Sequence, residues 1–170
     1  MSESLQRERA TKAQEAIPVH EGTLTLRAYA SWKGITATRG EVSSSFSNLR
    51  LEFTSPVADG GDPGLTTPEE LLLAAAITAW CTAFARVAGQ MVLDVADVSV
   101  YGELTRTYDE IEGHRVEAIM IRPEVTMRTG LGFEKVHDMF RRATALARQQ
   151  SPVLRALAPA VRLQVEPSYR

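Results

Sequence analysis

The stretch that most limits how this chain can fold is residues 66–90. It opens with Thr66-Thr67-Pro68-Glu69-Glu70 and continues as an uncharged run, LLLAAAITAWCTAFA, that meets no charge until Arg86. Thr67 stands where an N-cap belongs, and Pro68 suits the first helical position, where its missing N–H is no loss. Glu70, three residues after Thr67, completes a capping box. The pattern predicts a helix from Pro68 to about Val87, ended by Gly89. The 15 uncharged residues 71–85 fall short of the roughly 20 needed to cross a bilayer. The expectation is a helix buried on nearly every side of a folded domain.

What surrounds this helix has the period of strands. From Gly22, Leu24, Leu26, Ala28 and Ala30 share one face, and Lys33-Gly34 offers a turn. Residues 35–45 read as a second strand, and Leu49, Leu51 and Phe53 alternate in a third, so an antiparallel meander is expected. Residues 56–64 are dense in Gly, Pro and Asp and form a loop. Beyond the helix, Val98, Val100 and Leu104 alternate, as do Val116, Ala118 and Met120, with residues 108–113 turning between them. Val125 and Met127 extend the latter strand past Pro123, which belongs at an edge or a bulge. Phe133, Val136, Phe140, Ala143 and Ala147 mark a second amphipathic helix. Pro152 interrupts it, a short helix over 153–157 follows, and Val161, Leu163 and Val165 make a last strand. The fold class is α+β, with antiparallel sheets packed on two central helices.

Bulk properties narrow the chemistry. The chain has 170 residues, 44% hydrophobic and 24% charged, with a formal net charge of −2, an ordinary globular balance. That charge gives no electrostatic reason for a nucleic-acid or membrane partner. The single cysteine rules out an internal disulfide framework and a multi-thiolate metal site, and suits a reducing, cytoplasmic setting. His20, His114 and His137 are scattered without ligand spacing, and no phosphate loop or dinucleotide fingerprint occurs, so no metal or cofactor is expected. Residues 1–21 carry Arg7, Glu8, Arg9, Lys12 and Glu15 and no apolar core. They read as an N-terminal extension, a short exposed helix ending before Pro18 rather than a signal peptide, ahead of one domain over 22–170.

Two motifs point to a family. The central helix opens with Pro68-Glu69-Glu70-Leu71-Leu72-Leu73-Ala74-Ala75-Ala76, and Ser151-Pro152-Val153-Leu154-Arg155-Ala156-Leu157 follows the second long helix. Together, and in this element order, they resemble the OsmC/Ohr family of thiol-dependent peroxidases across roughly residues 22–166. The resemblance implies an intertwined homodimer with interfacial sites. It also implies a reactive cysteine that attacks a small-molecule hydroperoxide, a second cysteine that resolves the sulfenic acid, and an external thiol reductant. An arginine and a glutamate would activate the thiolate. Carried onto this sequence, these roles fall to Cys81, Arg39 and Glu69.

The sequence departs from that pattern twice. Ser151 stands where the resolving cysteine belongs, and no other cysteine replaces it, so any cycle must use one cysteine and an external thiol. Without a gap, the reactive position lands on Ala79. Cys81 lies two residues on, a rotation of about 200° on a regular helix, so it reaches the reactive position only across a π-bulge. Each candidate also has a plainer role. Cys81 can be a small packed hydrophobe, Glu69 a first-turn acid favouring the helix dipole, and Glu70 a capping partner. Arg39 can be a solvated strand residue, and Ser151 a helix-terminus residue. Two functions stay open: a one-cysteine peroxide reductase, and a non-peroxidatic dimer holding an apolar small molecule in the interfacial pocket.

Overall fold

Alternation in the first third of the chain becomes three short strands. In the computed structural model, which describes residues 24–32, 38–128 and 133–169, they are β1 (Ala28–Trp32), β2 (Arg39–Ser44) and β3 (Arg50–Thr54). They pair antiparallel in the order β1-β2-β3, the meander expected. Leu24 and Leu26 precede β1 and are exposed. The strand starts late because β2, whose Ser44 pairs with Ala28, offers no partner beyond that point. Residues 1–21 and the Lys33-Gly34 turn lie outside the described residues. After β3 a 3-10 turn, Val57–Asp59, breaks the Gly- and Pro-rich loop and closes on Gly60 at φ 86.

These elements belong to the first of two compact units, Met1–Pro68 and Glu69–Arg170. The second is built on α1 (Pro68–Gln90). Its buried residues, Ala76, Trp80, Ala83, Phe84, Val87 and Ala88, recur at three- and four-residue intervals and so form one stripe. Trp80 stacks on Phe84 at 4.7 Å between ring centroids, and Phe84 meets Phe140 edge-on at 5.6 Å. Phe140 belongs to α2 (Phe133–Gln150), whose Ala143 and Ala147 complete the face expected from the sequence. By length and composition α1 could cross a membrane, but here its stripe is the centre of the unit's hydrophobic core.

The helix does not stop at Gly89. It runs to Gln90, and the chain reverses at Val92, at φ 55. The Leu93 N–H donates to the Ala88 carbonyl at 2.9 Å and the Val92 N–H to the Gly89 carbonyl at 3.2 Å, the paired bonds of a Schellman turn. Leu93 packs against the core cluster, and that anchor, rather than the glycine, sets where the helix ends.

Two long strands cover the helices: β4 (Val95–Asp109) and β5 (Gly113–Met127), antiparallel to each other. Gly102 lets α1 approach β4, since a Cβ there would lie 2.7 Å from Ile77 Cδ1. A short helix, α3 (Pro152–Leu157), then leads to β6 (Arg162–Val165) and β7 (Ser168–Tyr169). Both run parallel to β5, so this sheet is mixed rather than antiparallel. A strand that returns through intervening helices can add in parallel, where a tight hairpin cannot. Pro123 corrects a second expectation: it is fully buried in the central strand, opposite Val100. The Ile121 carbonyl accepts from Glu166 N–H at 2.9 Å, so Pro123, at the same parity, turns its missing donor toward that side. There β6 pairing ends at Ile121 and β7 pairing begins at Glu124, and the missing donor falls in the interruption.

Candidate functional site

Six residues of α1 recur at three- and four-residue spacing on a face that meets the core stripe at Ala83: Ala75, Thr78, Ala79, Thr82, Ala83 and Arg86. Together with Ser151, Pro152 and Val153 at the α2–α3 junction they line a pocket of about 400 Å³, within the size range of small-molecule sites. The residue at the gap-free reactive position, Ala79, and the residue at the second cysteine position, Ser151, therefore meet in one cavity. Cys81 is not part of its lining.

Local geometry explains the placement. α1 is a regular α-helix throughout, with no π-turn, so the two-residue offset turns Cys81 away from the pocket and toward the core, against which it packs. Removal from water pushes the thiol pKa up, only partly offset by a backbone hydrogen bond. That is opposite to the depressed pKa of a reactive thiolate. Ser151 ends one helix and starts the next. Its N–H donates to the Ala147 carbonyl at 3.1 Å, and its Oγ accepts from Leu154 N–H at 3.3 Å as the N-cap of α3. The helix-terminus reading of this serine holds, and it is 1% exposed.

Glu69, in the first turn of α1, accepts from Arg106 Nη1 of β4 at 3.1 Å, while its second oxygen, Oε2, is buried without a hydrogen-bond partner among the described residues. Arg39 belongs to the first unit, where its Nε and Nη2 hold Asp62 Oδ2 at 3.1 and 2.9 Å. The Thr38 hydroxyl donates to the same oxygen at 2.7 Å. That hydroxyl above all, opposed next by burial and aided then by Arg39, holds the Asp62 carboxyl below its usual pKa. Gly61 is required beside Asp62, because a Cβ there would collide with the Ser55 backbone carbonyl. Each activating candidate thus has a carboxylate–guanidinium partner of its own, and neither partner is Cys81.

Sequence reasoning missed Asp62 and Arg106, whose roles depend on pairings distant along the chain. It also missed the stripe Thr78, Thr82, Arg86, although that signal was legible: polar residues four apart interrupt an otherwise apolar helix. Among the described residues no cluster of His, Cys, Asp or Glu could hold a metal ion.

Comparison with known proteins fits this geometry. The sequence model of the family described as OsmC-like protein matches residues 59–166. This chain belongs to the OsmC-like protein family. The OsmC-like match includes α1, the pocket and both motif regions. Among solved structures, the organic hydroperoxide resistance protein OsmC of Legionella pneumophila superposes with a TM-score of 0.70. It is 22% identical, over 87% of this chain and 99% of that one. An organic hydroperoxide resistance protein of Elizabethkingia anophelis gives 0.71 at 19% identity, over 89% and 100%. The protein OhrB of Bacillus subtilis gives 0.63 at 20%, over 85% and 98%. Identities this low show a shared fold, the α+β fold of OsmC-like proteins. No curated protein matches the sequence.

Proposed function

We propose that this OsmC-like protein serves the organic-hydroperoxide stress response by binding a small apolar molecule of that class, without thiol chemistry in the pocket. One observation carries the reading: Ala79 and Ser151, at the positions of the family's two cysteines, both line the cavity, and Cys81 does not. Methyl groups of Ala75, Ala79, Ala83 and Val153 make a wall suited to an alkyl or aryl body. The neighbours named as hydroperoxide resistance proteins support the ligand class by analogy of fold. The family's assembly supports a homodimer, as do exposed apolar residues such as Tyr29 in the first unit. The lone cysteine accords with a cytoplasmic location.

The test uses cumene hydroperoxide and its alcohol. The protein should bind cumyl alcohol saturably in a thermal-shift titration. Substoichiometric cumene hydroperoxide should leave Cys81 reduced and the intact mass unchanged. The second reading, a one-cysteine reductase, draws on the partial exposure of Cys81 and on its neighbour Thr82 in the lining. There the Cys81 thiolate would attack the peroxide, releasing the alcohol and leaving a sulfenic acid. An external thiol would condense with it, losing water, and a second thiol would release the disulfide. Gain of one oxygen on Cys81, with turnover lost in Cys81→Ser, would establish that reading and overturn the first.

A further inference from the structure

The polar groups of the pocket are unequal in what they can offer a ligand. Thr78 Oγ1 donates to the Ala74 carbonyl at 2.8 Å, and Thr82 Oγ1 to the Ala79 carbonyl at 3.1 Å. Their protons are committed to the helix, so they present methyl groups and lone pairs. Ser151 differs: its Oγ already accepts from Leu154 N–H, which leaves its own proton to donate. Arg86 is the one charged residue of the described lining and makes no ion pair among the described residues. Its Nη2 donates to the Gln150 carbonyl at 3.2 Å, which fixes the guanidinium at the C-terminal end of α2, beside Ser151. The remaining N–H donors of its planar fork are left for a ligand.

We infer that the pocket prefers an amphipathic carboxylate over a neutral ligand, its head held by Arg86 and Ser151 and its tail laid along Ala75, Ala79, Ala83 and Val153. This rests on the binding function proposed above and adds the head-group to it. A guanidinium with its fork open and an adjacent hydroxyl donor match a monoanion that accepts at two oxygens. A neutral alcohol would meet the same apolar wall but leave the guanidinium without its counter-charge.

Isothermal titration with sodium octanoate and with octanol, at equal ionic strength, tests the inference on the unmodified protein. Octanoate should bind on the order of tenfold more tightly, the scale of a charge-assisted pair over a neutral contact. In Arg86→Gln that preference should fall to parity, and Arg86→Lys, which keeps the charge but not the fork, should restore part of it. Equal affinities in the native protein, or a preference that survives in Arg86→Gln, overturns the carboxylate assignment while leaving the binding function standing. Failure of both molecules to bind while cumyl alcohol still binds overturns the carboxylate assignment alone, and failure of all three overturns the two together.

Discussion

A cysteine one residue from Trp80 on a helix whose Trp80 is fully buried takes the dielectric of its surroundings. Desolvation raises the Cys81 pKa, so at neutral pH the group is a thiol and not a nucleophile. Iodoacetamide should therefore alkylate Cys81 more slowly than free cysteine at pH 7. The rate should keep climbing past the ordinary thiol pKa of about 8.5, because a raised pKa postpones ionisation. A rate that levels off below neutral pH would mean an activated thiolate and would return the peroxidase reading to first place. Glu69 and Arg39 make the same point from the other side. Each already satisfies an opposite charge, Arg106 and Asp62 respectively, so neither stands as an idle activator.

At the scale of elements, α1 presents two faces with different tasks. Trp80, Phe84 and Val87 build the core, while Ala75, Thr78 and Ala79 line the cavity. Placing the thiol on the second face should change its behaviour. In a Cys81→Ser background, Ala79→Cys should be alkylated at least severalfold faster than native Cys81, since residue 79 lines the open pocket where residue 81 packs against the core cluster. Equal rates would show that the two positions are not distinguished by facing. The end of the same helix holds a β-branched residue at positive φ, Val92, 86% exposed. Val92→Gly should remove left-handed strain at no packing cost and stabilise the protein by about 1 kcal/mol, measured by urea denaturation. A loss of stability would mean that the valine side chain contributes more than its backbone costs.

For the whole molecule, assembly carries the largest consequence. Ala74 of α1, outside the pocket lining, is exposed in a single chain, and Leu71, Leu72 and Leu73 are only half-buried. So much apolar helix surface favours cover by a second copy. Sedimentation equilibrium at micromolar concentration should give twice the 18.7 kDa chain mass, and a monomer there would remove the homodimer from the proposal.

Residue pattern alone carries the helix start at Thr67-Pro68-Glu69, the paired motifs of the family, the meander and the order of the elements. These are local signals, carried by capping chemistry, two-residue alternation and helical spacing, and each is complete within a few residues. Tertiary structure decided the rest. Parallel addition of β6 and β7, the burial of Pro123 and the stop at Val92 rather than Gly89 depend on what each segment packs against. Likewise, the family resemblance joins Cys81, Arg39 and Glu69 into a site, and the two-residue offset of Cys81 is legible beside it. Only the folded helix shows whether a bulge corrects that offset. Alanine and serine are left to shape the pocket because the regular turn of α1 contains no bulge to bring the cysteine round.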